Sequence, residues 1–342
     1  MARIRIGTCS WTDKPLIESG ALAAASLLLT SLLTACGGAS GLASLPARAD
    51  EATPIVSETQ ALHAVDPLDS PSPPTPIEPA VYAGTEDLTE RPLETLSEAA
   101  KEYVDSREGP VGVAVVVPSQ RAIYTYNGDD LFPMASVAKV TIMVTVMERA
   151  VQEGRDLTDR EGALLEPMII WSDNTAATAL WDGVGGGSAV GAYLASIGLS
   201  AIIPNPYEYW GATRAPAREV ALLFAKLGFG EILDPSMRTY ALDLLSRVSP
   251  DQRWGVTAGV PDEQPPGTVV GIKDGWYPTN YGRWWVNSAG VILPGDDHIA
   301  YAIAVLTRYQ STMDYAVETI EGVAAQVHTA LHGRGPVPSL SP

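Results

Sequence analysis

From about residue 93 onward, the pattern of apolar and polar positions predicts a series of short helices and strands. Two β-rich runs, 112–117 and 121–127, are separated by Pro118-Ser119-Gln120, which indicates a hairpin. A strongly apolar helix is predicted over 136–152, and Gly154 ends it. Further helices are predicted at 93–108, 161–171, 174–181, 187–197, 216–228, 236–248 and 312–333, and further strands at 267–273, 284–293 and 299–307.

This order of elements predicts an α+β domain over residues 93–335, followed by a tail at 336–342. Two strands come first, a helical middle follows, and three strands precede the last helix. A five-stranded sheet assembled from both ends of the domain and flanked by helices is the arrangement that this order favours.

The N-terminal region follows a different pattern. Residues 21–35 are apolar but fall short of the about 20 residues that a membrane-spanning helix needs, and basic residues precede them. Leu33-Thr34-Ala35-Cys36 resembles a bacterial lipobox, so residues 1–36 are predicted to be an export signal that leaves Cys36 lipidated. An ordinary cleaved signal with an incidental cysteine is the alternative. Residues 1–20 carry two acids and are set aside as a misplaced start or a fusion scar.

Residues 37–92 are rich in Pro, Ala and Ser and carry mostly acidic charge. Such a segment cannot bury enough apolar surface to offset its ordering entropy, so a disordered linker is predicted there. Together with the lipobox, it predicts a lipoprotein held by its lipid anchor at the outer face of a bacterial cell membrane.

Charge and cysteine content narrow the function. The 342 residues contain 40 Asp and Glu against 22 Lys and Arg, a net charge of −18, which argues against nucleic acid as a partner. Both cysteines precede residue 40, which excludes a disulfide framework or a cysteine zinc site in the domain. No cofactor, metal or obligate protein partner is predicted. A metal at Asp296-Asp297-His298 is a weaker alternative, because exposed turns commonly carry Asp.

The first chemical motif is Ser136-Val137-Ala138-Lys139, an S-x-x-K sequence that opens the most apolar helix. A serine at a helix N-terminus lies near the positive end of the helix dipole, which favours a developing oxyanion. Lys139 lies one turn further on the same face and can reach the Ser136 hydroxyl. To act as a base its amine must be neutral, which burial and a second nearby cation would favour.

Two more motifs follow in order: Ser172-Asp173-Asn174 after a helix, and Lys273-Asp274-Gly275 at the end of a β-run. With Phe132-Pro133-Met134-Ala135 before Ser136, the set resembles the S-x-x-K, S-D-N and K-T-G motifs of class A β-lactamases and penicillin-binding proteins. The resemblance covers about residues 93–335. It implies a β-lactamase/transpeptidase-like fold with an antiparallel five-stranded sheet, and an acyl-serine mechanism.

By this resemblance Ser136 is the acylated nucleophile and Lys139 its base. Ser172 relays a proton to the leaving nitrogen, Asn174 binds the substrate amide, and Lys273 holds Ser172 and supplies positive potential. Asp173 braces its own loop.

The resemblance also assigns the strand that follows. Gly275 lets substrate approach the strand edge, and the backbone N–H groups of Ser136 and Trp276 form the oxyanion hole. Trp171, Trp210, Trp276, Trp284 and Trp285 lie near the motifs and are interpreted mainly as packing or cleft walls.

Three features depart from the family pattern. Asp274 replaces the usual Thr or Ser that helps bind a substrate carboxylate; it is expected to repel an anion, to pair with Lys273 or Arg283, or to select a neutral or cationic substrate. Arg283 is the candidate carboxylate-binding arginine. The segment 199–216 lacks the family's E-x-x-L-N motif, and Glu208 is its only acid and a possible catalytic residue. The stretch between the first two motifs is short, which predicts a trimmed helical subdomain.

The prediction is therefore an exported serine acyl hydrolase acting on a β-lactam, peptide or ester, including a small molecule or a peptidoglycan-like substrate. Efficient β-lactamase activity is doubtful without the deacylating glutamate. A catalytically degraded envelope binding or scaffold module and a D-Ala-D-Ala peptidase-like enzyme are the alternatives.

Overall fold

The computed structural model describes residues 84–85, 87–206 and 209–333. The predicted export signal with Cys36, most of the predicted linker, Glu208 and the tail at 336–342 lie outside the described residues. The predictions for those segments therefore stay predictions.

A mixed six-stranded sheet forms the centre of the domain, with strands in the order β1-β3-β2-β8-β7-β6. Its strands are β1 (Thr89–Pro92), β2 (Val111–Val117), β3 (Ala122–Tyr126), β6 (Val269–Pro278), β7 (Trp284–Leu293) and β8 (Tyr301–Thr307). The five predicted strands are all present and pair antiparallel, but the predicted five-stranded antiparallel sheet is wrong in one respect. The sixth strand, β1, pairs parallel with β3.

β1 also moves the start of the folded domain to before residue 93. Thr89 pairs with Ala122 and Pro92 with Thr125, so the last residues of the predicted linker belong to the sheet. All four residues of β1 are exposed, and its last residue is a proline, as suits an edge strand. A strand without a buried face leaves no apolar alternation in the sequence, which is why the pattern did not predict it.

Eight α-helices are described: α1 (Glu98–Asp105), α2 (Lys139–Gln152), α3 (Asp159–Ile170), α4 (Asn174–Val184), α5 (Gly186–Ser196), α6 (Ala217–Phe229), α7 (Pro235–Ser246) and α8 (Met313–His332). They lie within a few residues of the predicted helices. Helices α6 and α7 contact the sheet through β2, β6, β7 and β8, and α1 packs on α8, which contacts β7 and β8. Every residue of β2 and β8 is buried, as expected for strands covered on both faces.

The helical region beside the sheet consists of α2 to α5, which contact one another. A second, two-stranded sheet pairs β4 (Leu131–Pro133) with β5 (Arg214–Pro216). These three-residue strands are too short to show a period, yet they fix the segment before Ser136 beside the segment after Trp210. None of the helices in the described part of the chain is long and apolar enough to cross a bilayer.

Candidate active site

Ser136 lies in a tight turn rather than in regular helix. Residues Ala135–Ala138 form a 3-10 turn that runs directly into α2 at Lys139. Ala135 has φ = 49°, a left-handed conformation that costs an L-residue energy and is found preferentially at functional sites. Ser136 itself is half-buried, so its hydroxyl stays accessible at the wall of the domain.

Lys139 is the centre of the site, and its side chain is fully buried. Its Nζ lies 3.1 Å from the Ser136 Oγ, 2.8 Å from the Ser172 Oγ and 2.8 Å from the Asn174 Oδ1. It also donates to the Ser172 carbonyl oxygen. The structure therefore brings the first two motifs together around one amine, although 33 residues separate Lys139 from Ser172.

The environment of Lys139 favours its neutral form. Burial and, to a smaller extent, the positive charge of Lys273 lower the pKa of Lys139 from its ordinary 10.5 to about 7, against a smaller opposing effect of Asp173. At neutral pH about half of the amines are therefore free to accept a proton. The Ser136 and Ser172 hydroxyls, 3.1 and 2.8 Å away, are the proton donors within reach of this amine.

Ser172 and Asn174 are positioned by the junction between α3 and α4. Ser172 has φ = 56°, a second left-handed residue at this site. Asp173 caps α4 by accepting a hydrogen bond from the Ala176 N–H at 2.6 Å, which is the bracing role expected for it. The cap fixes Asn174 as the first residue of the helix, with its amide beside Lys139.

The third motif lies on β6, an edge strand of the six-stranded sheet that contacts the Ser136 turn. Lys273 is fully buried, and its Nζ donates to the backbone oxygen of Asp274 at 3.1 Å. The expected hydrogen bond from Lys273 to Ser172 is not formed within the described residues. Lys273 acts on the site through its charge, which is felt at Lys139.

Gly275 packs closely against the Ser136 turn. A Cβ added there would lie 2.6 Å from the Ser136 N, 2.8 Å from the Val137 N and 3.0 Å from the Met134 O. These are backbone atoms of the Ser136 turn and cannot swing aside. The absent side chain therefore lets this turn pack against the strand, and the predicted approach of a substrate stays a prediction.

Trp276 follows Gly275 on the strand that contacts the Ser136 turn. Because β6 is an edge strand, backbone groups on its outer side have no strand partner, which is the arrangement that an oxyanion hole needs. The Trp276 indole packs against Trp254, with ring centroids 6.0 Å apart.

Arg283 directly precedes β7, where the predicted strand at 284–293 placed it. β6 continues to Pro278 instead of ending at Lys273, so Arg283 falls in the exposed hairpin turn, bonded through its backbone to Thr279. Pro278, which pairs with Trp284, is four residues from Asp274, or about 13 Å along the strand. The suggested pair between Asp274 and Arg283 is therefore not formed.

Asp274 is fully buried and does not line the cleft. Neighbouring residues of a strand point to opposite faces, so Asp274 faces away from the Ser136 turn that Gly275 contacts. Its Oδ2 accepts the Trp254 N–H at 3.3 Å, and Ser288 on β7 lies directly opposite.

Two positioning features were not assigned from sequence. The Trp210 ring lies with its centre 4.7 Å from the Lys139 Nζ, and its Nε1 donates to the Thr178 Oγ1 at 3.1 Å. The fully buried Asn287 donates to the Pro133 O at 2.8 Å and accepts from the Thr307 N at 3.0 Å, so it ties the segment before Ser136 to the sheet. The sequence signal that could have identified Asn287 is a polar residue within the mostly apolar predicted strand 284–293.

The segment 199–216 brings an indole to Lys139. Trp210 begins a 3-10 turn, Trp210–Ala212, within the segment that lacks the family's glutamate motif. Across the described ranges, no carboxylate forms a hydrogen bond with Lys139.

The side chains of the alternative metal site, Asp296-Asp297-His298, are not arranged around a common point. His298 Nδ1 lies 2.7 Å from the Asp296 Oδ1 in an exposed turn. Among the residues that the structure describes, no group of three or more His, Cys, Asp or Glu side chains is arranged to hold a metal ion.

Comparison with known proteins agrees with this arrangement. The profile of the Beta-lactamase enzyme family matches residues 95–161 and 162–331. The chain belongs to this family. A β-lactamase of Citrobacter koseri is 28% identical over 220 residues, which cover 55% of this chain and 72% of that protein.

Solved structures show the same fold. TLA-3 extended-spectrum β-lactamase matches with a TM-score of 0.61 and 20% identity, covering 70% of this chain and 99% of that one. PBP-A matches with a TM-score of 0.59 and 26% identity over 70% of this chain and 97% of its own. A class A β-lactamase of Bacteroides cellulosilyticus matches with a TM-score of 0.58 and 19% identity, over 69% and 98%. The fold is β-lactamase/transpeptidase-like, with a mixed sheet flanked by helices.

Proposed function

We propose that this protein is a serine acyl hydrolase that forms an acyl-enzyme on Ser136 and releases it slowly. The observation that carries the proposal is the contact of one buried amine, that of Lys139, with the Ser136 and Ser172 hydroxyls and the Asn174 amide. Its lowered pKa suits a general base at neutral pH.

Acylation uses these contacts in sequence. The neutral Lys139 amine takes the Ser136 proton while the Ser136 Oγ forms a bond to the substrate carbonyl carbon, and the backbone N–H groups of Ser136 and Trp276 receive the oxyanion. Collapse of the tetrahedral intermediate breaks the bond between the carbonyl carbon and the leaving group. The proton held by Lys139 passes through the Ser172 hydroxyl, 2.8 Å away, to the leaving atom.

Deacylation is the weaker half of the cycle. Hydrolysis of the ester needs a base to activate water, and the described part of segment 199–216 offers Lys139 an indole instead of a carboxylate. Lys139 itself remains as the base. We therefore expect the acyl-enzyme to accumulate rather than to turn over rapidly.

The test is intact-mass spectrometry of the purified domain after incubation with a fluorescent penicillin and, separately, with an activated ester. We expect a stoichiometric adduct on the native chain and none on Ser136→Ala. Ser119→Ala, in the hairpin between β2 and β3, is the matched control and should keep the adduct. No adduct with either reagent would refute the hydrolase and favour a binding or scaffold role.

The slow release has its own test. Trp210→Glu places a carboxylate in the segment beside Lys139 and should shorten the lifetime of the adduct, whereas Trp210→Gln, of equal size but uncharged, should not. An adduct on the native chain that already decays within seconds would contradict the assignment of slow deacylation.

We further propose that the protein acts as a lipoprotein at the outer face of the bacterial membrane, on a small-molecule or peptidoglycan-like substrate. The lipobox-like Leu33-Thr34-Ala35-Cys36 supports this location. Metabolic labelling with palmitate in a bacterial host should label the native chain and Cys9→Ser, but not Cys36→Ser. Labelling that survives Cys36→Ser would refute the anchor.

A further inference from the structure

A buried carboxylate, that of Asp274, lies on β6 and faces away from the Ser136 turn. Asp274 is fully buried between Lys273 and Gly275 on β6. Its Oδ2 accepts from the Trp254 N–H at 3.3 Å, and Ser288 is its cross-strand neighbour on β7. The other oxygen, Oδ1, is buried without a hydrogen-bond partner. This carboxylate is therefore held in place but only partly satisfied.

The charges around Asp274 come from several elements. Lys273 and Arg253 favour its ionised form, and Glu321 on α8 opposes it. Arg253 is itself committed to the Val270 O at 3.0 Å and the Ser246 O at 2.9 Å. Burial raises the pKa of Asp274 and lowers that of Lys273, so each buried group depends on the other for its charge.

The pairing cancels the positive potential of the site. The adjacent Asp274 makes the pair with Lys273 electrically neutral, so the pair presents no net cation to the substrate. Lys139 is about half neutral at pH 7. Arg283 lies in the exposed turn beyond Pro278, which is itself about 13 Å from Asp274 along the strand. The Lys273–Asp274 pair therefore adds no net positive charge to this part of the cleft to anchor an anion.

We propose that Asp274 makes this site select acyl donors that carry no carboxylate beside the scissile bond, so that its substrates are neutral or cationic there. The inference rests on the proposed acyl-serine chemistry and names its substrate class. Asp274 touches no substrate in this arrangement. It acts through its field and through Lys273, as a positioning residue.

The expected size of the effect follows from Coulomb's law. A unit negative charge about 5–8 Å from a substrate carboxylate, in an effective dielectric of about 20, disfavours that substrate roughly 30- to 300-fold. Because Lys273 offsets part of this field, we expect removal of the Asp274 charge to change the preference at least about tenfold.

The experiment compares acylation of the protein by penicillin G and by its methyl ester, which differ only in the carboxylate. The measured quantity is the ratio of the two second-order rate constants for adduct formation, followed by intact mass. The native chain should prefer the ester. Asp274→Asn keeps the shape of the side chain and should shift the ratio toward the acid at least about tenfold. Asp129→Asn, an exposed acid paired with Arg218, is the control and should leave the ratio unchanged.

A second readout needs no variant. Protonation of Lys139 slows acylation by both substrates equally, so it cancels in the ratio. Protonation of Asp274 at low pH removes the repulsion of penicillin G, whose carboxylate is still ionised at pH 5, and does not affect the methyl ester. The native preference for the ester should therefore be smaller at pH 5 than at pH 8. If Asp274→Asn does not fold, as judged by circular dichroism, this measurement alone decides.

The outcomes are separable. Adducts with both substrates, but a ratio near one or a ratio that neither Asp274→Asn nor pH changes, overturn the selectivity and leave the acyl-serine chemistry standing. A native preference for the acid also overturns it. Absence of any adduct with either substrate overturns the proposed function, and this inference with it.

Discussion

If Lys139 is the base that activates Ser136, the rate of acylation must follow the neutral fraction of its amine. The perturbation is pH, applied between 5 and 9. At each pH the fraction of neutral Lys139 is fixed by its pKa, and the 3.1 Å contact with the Ser136 Oγ makes the rate proportional to that fraction.

The magnitude follows from the structure. Burial and the charge of Lys273 lower the pKa of Lys139 from 10.5 to about 7. At pH 7 about half of the molecules are then active, compared with about one in 3,000 for an unshifted lysine. Below pH 7 the rate should fall about tenfold per pH unit, and above pH 8 it should be constant.

The assay is the rate of adduct formation by quenched-flow intact mass, with an ester whose own reactivity is subtracted at each pH. Lys139→Arg should abolish acylation at every pH, because a guanidinium does not give up its proton in this range. Lys101→Arg, an exposed lysine paired with Asp105 on α1, should leave the profile unchanged. Lys273→Met should move the inflection to higher pH, since a repelling charge is removed.

A flat profile, or a rate that still rises about tenfold per unit between pH 8 and 9, would refute the reasoning. Either result would mean that Lys139 is not the proton acceptor, or that its amine is as solvated as a surface lysine. An unchanged rate in Lys139→Arg would exclude the amine from the reaction altogether.

Three other outcomes are expected. Gly275→Ala should reduce the acylation rate about 100-fold or more with the fold retained, because its Cβ would displace the Ser136 turn. Gly162→Ala on α3, where an added Cβ meets no atom within 4 Å, is the control, and equal acylation rates in both variants would contradict this account. Asn287→Ala should lower the free energy of unfolding by about 2–4 kcal/mol in urea titrations, because two buried backbone groups lose their partner, and a loss below about 1 kcal/mol would speak against it. The unfolded chain binds the Lys139 proton more tightly than the folded chain, because the pKa of Lys139 is lowered by folding. The free energy of unfolding of the native chain, relative to that of Lys139→Met, should therefore rise between about pH 7 and 10.5, by at most about 1.4 kcal/mol per pH unit. A fall across that range would mean that folding raises the pKa instead.

The amino-acid pattern was enough to predict most of the elements and the order of the motifs. Buried strands such as β2 and long amphipathic helices such as α8 have a period that can be recognised locally. Ser136 and Lys139 are separated by one helical turn, so their proximity is also local. The structure brings the two side chains together, although Ser136 lies in the 3-10 turn before α2 and not in the predicted helix.

Features that depend on distant contacts were not available in the same way. β1, β4 and β5 are three or four residues long and gain their structure from pairing alone. The length of β6 is set by its pairing with β7, and this places Arg283 in a turn. The Trp210 ring reaches Lys139 only because β4 and β5 pair.

Two features of the third motif have one physical reason. Whether a side chain in an edge strand faces substrate, a packed turn or the buried face behind depends on strand parity and on which backbone packs against it. The sequence shows that a glycine and an acid occupy these positions, but it does not show which face of the strand each of them lies on. The contact of Gly275 with the Ser136 turn and the burial of Asp274 arise from long-range packing, which local sequence does not encode.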